Sequence, residues 1–209
     1  MPVLEAEDRV NYKEVELGYE NEEVALSETT RCLECGCSEF FDCKLQEYAT
    51  KYDVNQKEYA GEFKNHEVDF SHPLIEIDNN KCILCSKCVR VCTEVVGAKA
   101  LGLVQRGFDT VVAPAMGNSL NDTNCESCGM CVSICPTGAI TENTPFKIMP
   151  VEFESFQTID PFNSEGASIE LKHKGGFIFR AEGVQGLVNK KASIGKLAKF
   201  GYPIFNSKD

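Results

Sequence analysis

Cysteines are the side chains best equipped for chemistry in this 209-residue chain, and eight of its twelve fall into two runs. Cys82, Cys85, Cys88 and Cys92 form the first, and Cys125, Cys128, Cys131 and Cys135 the second. Both read C-x2-C-x2-C-x3-C, and Pro136 directly follows the second. Thiolate sulfur is a soft ligand for iron, and this spacing holds paired [4Fe–4S] clusters. A C-x2-C-x2-C loop curls around one corner of a cubane and presents three thiolates to three irons. The fourth iron takes its ligand from the other run. Cys82, Cys85, Cys88 and Cys135 are therefore assigned to one cluster, and Cys125, Cys128, Cys131 and Cys92 to another. Clusters of this kind exchange one electron at a time, so the chemistry implied is electron transfer.

Zinc is the competing reading. Structural zinc takes cysteines as two separated C-x2-C pairs, each covering half a tetrahedron. A third cysteine three residues on, repeated in both runs, has no purpose in that scheme. The remaining four, Cys32, Cys35, Cys37 and Cys43, read C-x2-C-x-C-x5-C. They could close a site without outside help, and a third [4Fe–4S] cluster is expected there, with zinc as the competitor. Twelve cysteines in a chain whose Met1–Val10 stretch lacks an apolar signal core point to metal ligands rather than disulfides, and to a cytoplasmic protein. Among the histidines only His72 lies near a run. Four thiolates are available without it, so His72 is not expected to ligate; His66 and His173 read as surface residues.

Other chemistry is not encoded. The sequence contains no G-x-G-x-x-G, P-loop or G-x-S-x-G motif, so no catalytic residue is assigned. A net charge of −11 argues against nucleic-acid binding, which needs a basic face. No apolar run is long enough to span a membrane. The charge is uneven: residues 1–80 hold twenty Asp and Glu against seven Lys and Arg, and residues 163–209 hold four against eight. One end could steer a basic partner and the other could sit on an acidic neighbour.

The elements that must position the cysteines follow from pattern. Residues 1–21 read as an extended acidic lead-in. Within 22–70, Glu22 to Thr30 favours a helix capped by Asn21, and Leu45, Tyr48 and Tyr52 recur at helical spacing. Residues 61–77 form a link marked by the turn at His72-Pro73. Between 71 and 145 each run is a cysteine loop followed by a short helix, Lys87 to Val95 and Gly129 to Cys135. Residues 100–104 and 110–113 read as strands joined by a turn at Gln105–Asp109. The cysteine-free residues 146–209 carry expected strands at 168–171 and 176–180, a turn between them, and a Lys-rich helix over Asn189 to Phe200.

Three stretches resemble known families. Ser71 to Glu142 resembles the two-cluster ferredoxin domain of cytosolic formate dehydrogenases, iron-only hydrogenases and related complex-I-like proteins. It does so through Lys81-Cys82-Ile83-Leu84-Cys85, Cys88-Val89-Arg90-Val91-Cys92, Arg106-Gly107-Phe108-Asp109-Thr110-Val111-Val112-Ala113-Pro114 and Cys135-Pro136-Thr137-Gly138-Ala139. Thr93 after Cys92 departs from the proline that follows the other run. Arg31-Cys32-Leu33-Glu34-Cys35-Gly36-Cys37, with Asp42-Cys43-Lys44-Leu45 and Tyr48-Ala49-Thr50, is similar to the cysteine region of glutamate-synthase-small-subunit-like FAD oxidoreductases. Gly186-Leu187-Val188-Asn189-Lys190 and Phe200-Gly201-Tyr202 resemble the N-terminal cluster domain of molybdopterin oxidoreductases. In that family cysteines would stand near Ile159, Phe162, Ala167 and Ile194. Residues 150–209 thus read as a relic that kept its strands and lost its metal.

The fold expected is α+β: a bacterial two-[4Fe–4S] ferredoxin-like core, an N-terminal helical cluster-binding segment and a small β-rich C-terminal extension. The resemblance implies a non-catalytic electron-transfer subunit with three [4Fe–4S] clusters in a cytoplasmic oxidoreductase complex. The implied partners are a flavoprotein NAD(P) oxidoreductase, hydrogenase or formate dehydrogenase subunit and a soluble ferredoxin, in a setting where electron bifurcation would fit. A zinc-stabilised scaffold with no redox role and an enzyme acting directly on NAD(P) are the alternatives.

Overall fold

A computed structural model describes residues 3–11, 17–29, 44–55, 57–58, 61–62, 65–144 and 153–206. The chain divides into two compact units, Met1–Cys35 and Gly36–Asp209. In the first unit the expected helix forms as α1, Glu22–Thr29. Its cap is the one the sequence predicts: Asn21 Oδ1 accepts the Val24 N–H at 2.9 Å, satisfying a donor that the helix start leaves free.

In the second unit α2 spans Lys44–Lys51. Leu45 and Tyr48 lie on it, and Tyr52, just beyond its end, brings its ring to 6.4 Å from that of Tyr48; all three are exposed. The central part is built from two short antiparallel ribbons and two short helices. β1 (Ile75–Ile77) pairs with β4 (Ile140–Glu142), opposing Ile77 to Ile140. β2 (Gly102–Val104) pairs with β3 (Val111–Ala113). The β2–β3 hairpin is the one expected, with the left-handed φ of Gln105 and Gly107 making its turn. Of the β1–β4 ribbon, β1 lies in what reads in sequence as a link, and β4 in a stretch whose pattern assigns no element. The ribbon brings the two ends of the block together, and all three residues of β1 are buried.

Helix α3 (Lys87–Arg90) runs on without a break as a π-turn over Val91–Val96. Its partner α4 is Met130–Ile134. Pro136 accounts for the difference in length. The residue before a proline is pushed out of the helical region, and Cys135 is extended, with φ −71° and ψ 118°. Thr93 places no such limit after Cys92, so the first helix continues to Gly97, which ends it in a left-handed conformation. Ile75, Ile77, Ala100, Leu101, Val112, Leu120, Val132 and Ile140 form the core, together with Cys88 and Cys131. Asn79 ties the two ribbons together: its amide donates to the Val112 carbonyl and accepts the Val112 N–H, at 3.1 and 3.0 Å.

Toward the C-terminus, β5 (Glu154–Ile159), β6 (Ser168–Lys174) and β7 (Phe177–Gly183) form an antiparallel meander. Gly175 and Gly176, both at positive φ, make the tight β6–β7 turn. Ile169, Leu171 and Ala181 pack against Ile194, Ala198 and Tyr202. The expected long helix is shorter than the pattern suggested. Only α5, Lys196–Phe200, is helical. Ahead of it the Asn189 side chain both accepts the Ser193 N–H and donates to the Ser193 carbonyl, an alternative to helical pairing that short polar residues favour. Of the positions where a metal-bearing relative would place cysteine, Ala167 and Ile194 are buried, whereas Ile159 and Phe162 are exposed.

Candidate metal centres

The two cysteine loops repeat each other in backbone detail. Two residues after the first cysteine, Leu84 and Ser127 take left-handed φ values of 54° in both loops. Two residues later Ser86 and Gly129 do the same, at 61° and 70°. These kinks curl each loop inward and let α3 and α4 begin at the third cysteine's doorstep. They also aim N–H groups at sulfur. Leu84 N–H donates to Cys82 Sγ and Ser127 N–H to Cys125 Sγ, each at 3.4 Å. The left-handed Lys99 turn brings the Ala100 N–H to Cys92 Sγ at 3.3 Å. Donors fixed in this way stabilise sulfur that carries negative charge.

Each loop bounds a cavity, and each cavity draws cysteines from both runs. Cys82, Cys85, Cys88 and Cys135 line the first, about 370 Å³ counting the space open at its mouth. Cys125, Cys128, Cys131 and Cys92 line the second, about 340 Å³ on the same measure. The walls are otherwise largely apolar, with Ile77, Val112 and Ile140 in the first and Ile75, Leu101 and Leu120 in the second. Among the described residues no three His, Cys, Asp or Glu side chains converge closely enough to hold one metal ion. The four thiols that line each cavity suit a polynuclear group whose several irons each take one sulfur.

Burial pushes the Cys88 thiol up to about 11, and its neighbours Cys135, Cys82 and Cys85 add to the effect. Burial likewise pushes Cys131 up, reinforced by Cys128, Cys125, Cys88 and Cys92. Four anionic sulfurs cannot share such a space without cations between them. The donor set, the apolar walls and the N–H groups aimed at sulfur all fit a cubane cluster.

Around the second cavity the surroundings are more elaborate than the cysteine pattern suggested. His72 is 2% exposed and does not line either cavity. Its Nδ1 accepts the Leu74 N–H at 3.1 Å. The proton therefore sits on Nε2, which donates to Ser127 Oγ at 3.2 Å. Burial, with Lys196 nearby, holds this ring below its usual pKa against the pull of Asp69. His72 is thus a neutral brace for the Cys125 loop. His66, expected at the surface, has its Nε2 shielded from solvent.

Lys199, fully buried, is the larger surprise. Its stem crosses the Cys125 loop at Gly129, where an added Cβ would lie 2.5 Å from Lys199 Cγ. Its Nζ donates to the Ala181 carbonyl and to Glu182 Oε1, at 2.9 and 2.8 Å, and lies 3.6 Å from Glu142 Oε1. Tyr202 donates its hydroxyl to Glu142 Oε2 at 2.7 Å. Burial alone would push the Glu182 carboxyl up, but Lys199, Ser133 and Arg180 together hold it below its usual value. These groups join β4 and α4 to the C-terminal sheet. One hint of this network was local, a lysine inside the apolar pattern of α5. Its partners, from 17 to 57 positions away, had no local signal. Cys32, Cys35, Cys37 and Cys43 lie outside the described residues.

Comparison with known proteins adds weight to this geometry. Residues 72–141 match the model of the NADH-quinone oxidoreductase subunit 3 ferredoxin-like domain. That stretch holds all eight cysteines of the two runs. The chain is 35% identical over 175 residues to the NADPH-Fe(3+) oxidoreductase subunit alpha of Geobacter sulfurreducens (strain DL-1 / KN400), covering 83% of this chain and 20% of that protein. It is 40% identical over 108 residues to the NADP-reducing hydrogenase subunit HndD of Solidesulfovibrio fructosivorans, covering 51% and 18%. It is 31% identical over 145 residues to the NADH-ubiquinone oxidoreductase 75 kDa subunit of Dictyostelium citrinum, covering 69% and 21%. The chain thus spans about a fifth of the length of these relatives. Among solved structures it is similar to a chain of the NAD+-reducing [NiFe]-hydrogenase in its H2-reduced state. The TM-score is 0.50 at 26% identity, over 62% of this chain and 59% of that one. No helix among the described residues is long and apolar enough to cross a membrane.

Proposed function

We propose that this chain is an iron–sulfur electron-transfer subunit of a multi-subunit oxidoreductase. On this reading it has a two-cluster ferredoxin-like core. One [4Fe–4S] cluster would be held by Cys82, Cys85, Cys88 and Cys135, and another by Cys125, Cys128, Cys131 and Cys92. A third would be held by Cys32, Cys35, Cys37 and Cys43. The observation that carries the reading is the pair of four-thiol cavities, each drawing three cysteines from one run and one from the other. The names of the relatives support it, since they are subunits of NADPH-, NADP- and NADH-dependent oxidoreductases.

When bound, such clusters supply one-electron carriers and no bond-making chemistry. The chain's own residues do the rest. Leu84, Ala100 and Ser127 offer N–H donors to the ligand sulfurs, the apolar walls exclude water, and Cys88 and Cys131 lie together in the shared core between the two cavities. Burial and N–H donation oppose each other in setting a cluster's potential, so the two sites can be tuned apart. The partners proposed are a flavoprotein NAD(P) oxidoreductase, a hydrogenase or a formate dehydrogenase subunit.

Anaerobic purification of the full chain tests this. The expected product is brown, with about twelve iron and as much sulfide per chain, four of each for every cluster. A colourless protein holding zinc and no iron would favour the scaffold reading instead.

A further inference from the structure

A solvent-open groove lies beside the second cysteine site, with a volume of about 600 Å³ counting the open space. Val95, Glu126, Cys128, Lys191, Ile194 and Lys196 are among its walls. Cys128 is only half-buried, so a ligand sulfur reaches this groove. Lys191 Nζ donates to the Val95 carbonyl at 3.2 Å, which seats the C-terminal loop on the π-turn that carries Cys92. Lys190, Lys191 and Lys196 are all exposed. No acidic residue occurs between Glu182 and Asp209, and Glu126 is the one carboxylate on the groove wall. Beside the lysines, Leu187 is 96% exposed, and Val188 and Leu197 are also open to solvent. The loop is already folded. Gly186 N–H donates to the Asn189 carbonyl, and Asn189 and Ser193 hold each other in both directions.

We propose that this face, residues 185–197, docks an acidic one-electron carrier protein against the site of Cys92, Cys125, Cys128 and Cys131. The inference rests on the electron-transfer reading above and adds the place of entry and the chemistry of the partner. A cationic rim around exposed apolar side chains is unusual on a chain of net charge −11. It selects a partner with carboxylates around an exposed redox group, steering it on approach and leaving the apolar centre to hold it. A preformed loop loses little freedom on binding. One electron leaves the reduced carrier and enters the second site, the carrier being oxidised and the site reduced, with no bond made or broken.

The test uses the full cluster-loaded chain and a small acidic two-[4Fe–4S] ferredoxin reduced with dithionite. Binding is followed by calorimetry and electron transfer by stopped-flow absorbance. The variant Lys190→Glu/Lys191→Glu/Lys196→Glu is compared with Lys174→Glu, at the far end of the β6–β7 hairpin. We expect the triple variant to bind about tenfold or more weakly, to accept electrons correspondingly slowly at low salt, and to lose most of its salt dependence. Lys174→Glu should behave as the unaltered chain does. Leu197→Ser should weaken binding while leaving the salt dependence in place. Equal rates and affinities for the triple variant and the unaltered chain, with iron content unchanged, would overturn the proposal. So would a salt-sensitive dimer of the chain, seen by sedimentation and abolished by the triple variant, since the occupant would then be a second copy. Absence of iron in the unaltered chain would instead defeat the functional reading itself.

Discussion

The two halves of the cysteine block share a backbone and differ in what lies over it. Leu84 and Ser127 match in φ and in their N–H···S bonds, and Ser86 and Gly129 match in hand. Yet Cys85 of the first loop is exposed, beside Ile83 at 49% exposure. The second loop lies beneath Lys199 and Phe200. Ser86 carries its side chain in the left-handed position and donates its hydroxyl to the Leu84 carbonyl at 3.4 Å. At Gly129 a Cβ has no room. The repeat therefore sets how cysteines are presented, and the added C-terminal sheet makes the two sites unlike. One pole is left open and the other is braced, grooved and flanked by lysines.

Removing the brace should have the largest effect. Lys199→Met takes the buried ammonium away from the half-buried Glu142 and Glu182, leaving Glu182 only the more distant Arg180 at 3.8 Å, and should lower unfolding stability by about 3 kcal/mol in denaturant titrations. Its counterpart on the first half is the exposed pair Arg90–Glu94, at 3.1 Å. Arg90→Met should leave the unfolding midpoint unchanged. Equal losses at the two positions would erase the contrast. Next in size is Gly129→Ala, which meets both a left-handed backbone and the Lys199 stem, at about 2–4 kcal/mol. Ser86→Gly should change stability by well under about 1 kcal/mol. Tyr202→Phe removes one hydroxyl from Glu142 and should cost about 1–2 kcal/mol.

A smaller effect separates the empty from the loaded protein. Burial raises the Cys88 thiol from 9.0 to about 11, so the folded metal-free chain keeps a proton that the unfolded chain gives up. That contribution to stability is fully present below pH 9 and is lost as the pH rises toward 11. Thermal unfolding of metal-free protein should show this decline. Protein loaded with iron should not, because the thiolates are then ligands.

How much of this was visible in the sequence depended on whether the cause was local. The cysteine spacing, the Asn21 cap, the hairpin with Gly107 and the proline after Cys135 act within a few residues of themselves, and each left a readable mark. The β1–β4 ribbon did not. Its strands are three residues each and stand 65 positions apart. Asn189 and Ser193 delay the start of the expected helix to Lys196 by hydrogen bonding that propensity does not register. The part of His72 in holding Ser127 appears only when the chain folds back. Lys199 followed the apolar spacing of α5 and would be taken for a surface residue without Glu182 and Glu142 beside it.

The most direct measurement concerns whether each cluster takes its fourth thiolate from the other run. Two double variants decide it, each in a chain whose Cys32, Cys35, Cys37 and Cys43 are replaced by alanine. Cys82→Ala/Cys135→Ala removes two thiols from one cavity, and Cys82→Ala/Cys92→Ala removes two from one run. With iron counted and reduced clusters monitored by electron paramagnetic resonance, the first variant should keep one complete [4Fe–4S] cluster and the second should damage both. One intact cluster in the second variant and none in the first would contradict the account.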